Sequence, residues 1–158
     1  MTVVTTEVEI AAAFPADKLF KVIVSFDSLA PKVTPQVFKS ISIVEGDGGV
    51  GTIKKCIHGD AVPYTTSIQK VDAVDVSNLS VSYTIYEGDA LFDFLDSITH
   101  HIKISPGADG GSVYKHTTVF NCKGEATVPE EMLTQTNEGY KKVFKAIEAH
   151  VLANVDAY

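Results

Sequence analysis

The groups in this chain able to do chemistry are its imidazoles, its two thiols and one cluster of glycines. Its histidines include His100 and His101, neighbours in a stretch that alternates as a strand does. Neighbours on a strand point to opposite faces, so these two rings cannot close on one metal ion. His100 and His116 could approach each other across paired strands, and Cys56 or Cys122 beside them would make a zinc-like set. No close-spaced ligand motif supports such a set, and the expectation is no metal and no obligatory cofactor. The better use for both rings is hydrogen bonding to ligand hydroxyls or to water. Tyr83 fits the same role, as an apolar ring with a polar tip.

The glycines lie in residues 45–52, Glu-Gly-Asp-Gly-Gly-Val-Gly-Thr. Gly46, Gly48 and Gly51 formally match a dinucleotide fingerprint, and the Gly46 to Gly51 spacing resembles the start of a phosphate loop. Both motifs need a following helix whose terminal amides hold the phosphate, and the phosphate loop needs Lys then Ser or Thr. Thr52 and Ile53 follow Gly51, and the residues up to His58 are β-like. A rigid strand-to-strand turn built on Gly46, Gly48, Gly49 and Gly51 is the reading that survives.

These groups need a frame. A chain of 158 residues with 45% hydrophobic residues suits one domain with a sizeable core. Its net charge of −7 opposes a stable nucleic-acid complex, because phosphate binding relies on clustered Lys and Arg. Two cysteines do not make a disulfide framework and read as buried thiols in a reducing compartment. No basic-then-apolar leader and no run of about 18 apolar residues is present, so a cytoplasmic protein without a membrane partner is expected.

The longest element predicted is a helix over 127–154. Thr127 and Glu130 have the spacing of a capping box. Met132, Thr136, Tyr140, Val143, Ile147 and Val151 fall on one stripe. Roughly 25 residues at about 1.5 Å each make a rod longer than plain packing of a small domain requires, so something wide must cover it. The rest of the chain offers strands at 2–12, 38–45, 52–58, 64–75, 78–87, 94–105 and 112–122, joined by short turns that favour antiparallel hairpins. Two short helices follow the first strand, one opening at Pro15 and one over 27–33. Alternation puts Tyr83 and Ile85 on one face of their strand, Ile98, His100 and Ile102 on one face of the next, and Tyr114, His116, Thr118 and Phe120 on one face of the last. Inward faces that mix apolar side chains with hydroxyls and imidazoles suit a cavity better than a solid core, since each buried polar group needs a partner.

The run Glu45 to Lys55 resembles the glycine-loop signature of the intracellular class-ten pathogenesis-related plant proteins, the birch major pollen allergen family. Leu19-Phe20-Lys21, Pro31-Lys32-Val33, Glu87-Gly88-Asp89, Asp109-Gly110-Gly111-Ser112 and the ending Ala149 to Asn154 agree in order, so the resemblance covers essentially the whole chain. It implies an α+β helix-grip fold: a seven-stranded antiparallel sheet curved around the C-terminal helix, enclosing a large cavity for amphiphilic plant metabolites or hormones such as flavonoids, cytokinins and sterol-like compounds. By that match the wall takes Cys56, His58, Tyr64, Thr66 and Ile68 from the earlier strands, and Tyr83, Ile85 and Ala90 from the middle. Ile98, His100, Ile102, Tyr114, His116, Thr118 and Phe120 come from the last two strands. The helix adds Leu133 or Thr136, Gly139 and Val143, and Asp27 and Lys54 stand near the mouth. If the protein is allergenic, IgE would recognise its surface.

The resemblance carries two alternatives. Ribonuclease activity ascribed to the family would rest on the glycine loop with Lys54, Asp96, Glu148 and His150, the last able to act as general acid or base. Abscisic-acid receptors share the fold and inhibit phosphatases, yet their gate and latch sequences are absent; Ala61 to Pro63 and Gly88 to Ala90 occupy the comparable turns.

Overall fold

A computed structural model describes residues 2–158. Seven strands form one antiparallel sheet in the order β1 (Thr2–Ala12), β7 (Ser112–Cys122), β6 (Leu95–Pro106), β5 (Ser80–Glu87), β4 (Thr66–Asp75), β3 (Ile53–His58), β2 (Phe38–Glu45). Consecutive strands from β2 to β7 are neighbours, as short turns demand. The chain crosses from β1 on one edge to β2 on the other through α1 (Ala16–Val24) and α2 (Phe26–Val33). Pro31 lies inside α2, and Thr34, just beyond that helix, donates its hydroxyl to the Ala30 carbonyl at 2.8 Å.

The long helix, α3, runs from Glu130 to Ala153. Its expected capping box does not form. Pro129 occupies the cap position with extended backbone, and no side chain caps the helix. Thr127 is therefore two residues too early to serve the first-turn amides. The Pro129 carbonyl instead accepts from the Met132 and Leu133 amides, and Glu130 and Glu131 face the positive end of the helix dipole.

Two apolar clusters join sheet and helix. The larger packs Phe14, Leu19, Phe20 and Leu29 with Ile104, Tyr114, Phe144, Ile147 and Val151. The smaller packs Leu91, Leu95, Phe120, Cys122 and Val128, with Met132 and Leu133 against them. One takes the C-terminal half of α3 and the other its N-terminal turn. Between them the sheet stands off from the helix.

Candidate functional site

The gap is a cavity of about 960 Å³, within the size range of small-molecule sites. Its floor is the concave face of the sheet. Strand register decides which side chains reach it, because residues directly opposite in an antiparallel pair share a face. Tyr83 faces His100, and His100 faces Thr118.

The centre of the floor is a chain of hydrogen bonds. Tyr114 Oη lies 2.9 Å from His116 Nδ1, and His116 Nε2 lies 2.8 Å from His100 Nδ1. From the helix, Tyr140 Oη reaches the same His100 Nδ1 at 3.3 Å and accepts from the Thr118 hydroxyl at 3.2 Å. The rings are stacked as well as bonded: Tyr83 on His100 at 4.6 Å between centroids, and His116 on Tyr140 at 4.1 Å. Burial holds His100 down at about 3 and His116 well below the ordinary imidazole value, so both rings are neutral at pH 7. The same burial pushes the Tyr83, Tyr114 and Tyr140 phenols up.

A second group of rings runs along one side of the cavity: Phe38 lies tilted against His58, and His58, Tyr64 and Phe92 follow edge to face. His58 Nδ1 donates to the Val37 carbonyl at 3.2 Å, which leaves Nε2 to accept from Ser67 at 2.9 Å. Beside it the Asp89 carboxylate accepts from both amides and the Thr65 hydroxyl of Thr65–Thr66, and those bonds pull it down to about 2. The turn after β5 is thereby tied to the start of β4. Gly88 lets the two approach, since a Cβ there would sit 2.5 Å from the Thr66 carbonyl oxygen. Lys54 Nζ meets Asp27 Oδ2 at 2.8 Å, joining β3 to α2 at the cavity rim.

Most residues expected in the wall line this cavity, among them Asp27, Lys54, Cys56, His58, Tyr64, Tyr83, Ala90, His100, His116, Thr136, Gly139 and Val143. Four others are placed elsewhere. Thr66 and Ile68 lie on the opposite face of β4, whose inward side chains are Ser67, Gln69 and Val71. The register explains it: Ser67 stands opposite the inward Cys56, and Gln69 opposite the inward Lys54. Thr118 is sealed beneath Tyr140, to which it donates. Leu133 packs in the smaller apolar cluster. Tyr140, which belongs in the site, was legible only as a member of the helix stripe.

The four nuclease candidates do not form one cluster. Glu148 accepts from the Ala13 amide at 2.9 Å and Lys145 Nζ at 3.1 Å, while His150 Nε2 meets Tyr158 Oη at 3.2 Å. Asp96 is exposed near the Thr2 end of β1, whereas Glu148 lies beyond its Ala12 end. A strand of this length, at about 3.3 Å per residue, separates them by roughly 30 Å. Cys56 and Cys122 are both buried and free. The glycine loop is held as a turn: Gly48 N donates to Thr52 Oγ1 at 2.8 Å, Gly51 N to the Val71 carbonyl at 2.8 Å, and β3 follows. Among the described residues no group of three or more His, Cys, Asp or Glu side chains could hold a metal ion, and no helix is long and apolar enough to cross a membrane.

Comparison with known proteins adds the lineage. The chain is 51% identical over 152 residues to the root allergen protein of Taraxacum officinale, covering 96% of this chain and 97% of that one. It is 44% identical over 150 residues to a Panax ginseng protein named ribonuclease 1, covering 94% and 97%. The crystal structure of Ara h 8.0201 matches with a TM-score of 0.83 at 36% identity, over 96% of this chain and 99% of that one. Residues 1–154 match a single family description. With its sheet, grip helix and glycine turn agreeing, this chain belongs to the pathogenesis-related protein Bet v 1 family.

Proposed function

We propose that this protein is a cytoplasmic, defence-related carrier or reservoir, one domain that takes small amphiphilic plant metabolites or hormones into its cavity. The observation that carries this reading is the hollow of about 960 Å³, walled by apolar side chains with a few polar groups converging on its floor. Such a surface rewards a bulky apolar body and orients it by one or two hydrogen bonds. Two buried free thiols support a reducing compartment. The root allergen name of a close relative motivates IgE recognition of the exposed surface.

The test is saturable binding of the fluorescent dye 8-anilinonaphthalene-1-sulfonate, displaced by a flavonoid or a cytokinin. Gly139 faces the cavity with nothing within 4 Å of the position a Cβ would take, so Gly139→Phe should intrude on the space without disturbing the fold. Dye affinity should fall at least several-fold in that variant while its circular dichroism is unchanged. Undiminished binding would put the dye on the outer surface and remove the support for a carrier.

A ribonuclease reading draws on the name of the ginseng relative. The dispersal of Lys54, Asp96, Glu148 and His150 weakens it. RNA cleavage that survives in Glu148→Gln at the wild-type rate would dissociate any activity from that set.

A further inference from the structure

The sheet has two edges, and the chain treats them differently. Along the second half of β1 the helix α3 engages the edge: Asn137 Nδ2 donates to Thr6 Oγ1 at 2.9 Å, and Lys145 Nζ to the Ala11 carbonyl at 3.0 Å. At the other edge β2 is left open. Ser42 to Glu45 are exposed without a break, with Ile43 48% and Val44 62% accessible. Apolar side chains on an open edge make a template for strand addition.

Register decides which backbone groups are free there. His58 N donates to the Thr65 carbonyl, and the Thr52 carbonyl accepts from Val71 N. Both bonds run towards β4. Successive strand residues alternate in the direction of their N–H and C=O, so Ile53, Lys55 and Ile57 bond towards β2. Ser40 stands opposite Ile57 and Ser42 opposite Lys55. Ile41 and Ile43 therefore turn their N–H and C=O outward, away from the sheet. Bulges lie on either side, between Phe38 and Ser40 and between Ile43 and Glu45. They bend the strand and confine regular pairing to the stretch between them. At its two ends stand Lys39 and Glu45, both exposed, and among the described residues neither has an ion-pair partner.

We propose that this edge pairs with the same edge of a second copy of the chain, antiparallel about a two-fold axis at Ser42, giving a weak homodimer with one sheet running through both. One register satisfies the free groups and the charges together. With Ser42 opposite its own copy, Ile41 lies opposite the second copy's Ile43, and each such pair exchanges both N–H···O bonds. The same register sets Lys39 opposite Glu45 on both sides of the axis, where opposite charges attract. Val44 meets Ser40, and the exposed Ile43 is covered. A shift of one residue either way sets Ile41 or Ile43 against Ser42, whose N–H and C=O already serve β3. A shift of two parts Lys39 from Glu45. A contact of so few residues falls below the roughly 1,200 Å² of a stable complex, so association belongs near about 0.1 mM. The edge lies outside the cavity, and the inference is independent of the carrier reading.

Sedimentation equilibrium on the whole protein, from about 10 µM to about 1 mM, tests it. Wild type should pass from monomer towards dimer across that range. Lys39→Glu and Glu45→Lys each set like charges opposite one another twice, and each should weaken the dimer by about tenfold or more. Mixed in equal amounts, the two variants should associate as wild type does, because a mixed pair has opposite charges at both ends. The double variant Lys39→Glu/Glu45→Lys should recover for the same reason. Ile43→Pro removes an amide proton that the fold does not use, and should stay monomeric with unchanged circular dichroism. Wild type that is still monomeric at the highest concentration overturns the inference. So do single charge reversals that dimerise like wild type, a mixture no better than its components, or a dimer that survives Ile43→Pro.

Discussion

Cys56 lies in the cavity wall with its thiol pushed up to about 11, chiefly by burial. The thiolate is the reactive form, so the side chain is inert at neutral pH. Native protein at pH 7.5 should resist 5,5′-dithiobis-(2-nitrobenzoate), and both thiols should titrate once urea is added; prompt reaction in the native state would mean the wall opens freely. The imidazoles make a prediction of opposite chemistry. His100 falls from 6.5 to about 3, and His116 and His58 are lowered too, all chiefly by burial. Below 6.5 the unfolded chain takes up protons at these rings and the folded chain does not. Their contribution is complete above 6.5 and is lost as pH falls towards the folded values, at about 1.4 kcal/mol per pH unit for each fully buried ring. The urea midpoint should drop between pH 7.5 and 5.5, and by less in the His100→Phe/His116→Phe double variant. An equal drop in both would assign the acid sensitivity to other groups.

The helix α3 carries a glycine in its interior, at Gly139. Gly139 has open space at the Cβ position, so nothing in the packing opposes an alanine. Gly139→Ala should stabilise the protein by about 1 kcal/mol through helix propensity alone, read as a higher urea midpoint at an unchanged slope. A loss would mean the backbone there needs freedom the folded structure does not reveal. Elements of this kind were the legible part of the sequence. Strand-like runs set off by short turns located all seven strands, with period-two alternation clear in the later ones, and the proline-opened and proline-punctuated stretches marked the two short helices. Side-chain parity on β4 was not legible, because Ile68 is the apolar residue and Ser67 and Gln69 are the polar ones. Partners absent from any local window reverse that preference: His58 holds Ser67, and the Cys56 thiol donates to Gln69 at 3.8 Å. Bulges at Ile68/Gln69 and Val71/Ala73 further interrupt the alternation. The capping box failed for a related reason, since spacing alone cannot say that Pro129 takes the cap. That the four nuclease candidates do not meet in one cluster was not legible, because chain order does not reveal that Asp96 and Glu148 sit at opposite ends of β1.

For the molecule as a whole, an occupied cavity should raise thermal stability by mass action. A ligand present at about a hundred times its dissociation constant adds about 2.7 kcal/mol, which for a chain of this size is a rise of roughly 5–10 °C in melting temperature. Differential scanning calorimetry with flavanone would read it, and no shift at saturation would separate the dye signal from true occupancy. The two apolar clusters give that measurement a spatial counterpart. They seat α3 at its first turn and from Tyr140 onward, and between those seats Gln135, Thr136 and Gly139 border the hollow. It is a bridge deck on two piers, the second of them beginning where Tyr140 rests on His116. The amides of the span between, near Gln135 to Gly139, should therefore trade deuterium sooner than those at either abutment. A guest lodged underneath would act as a third pier and quieten that stretch first.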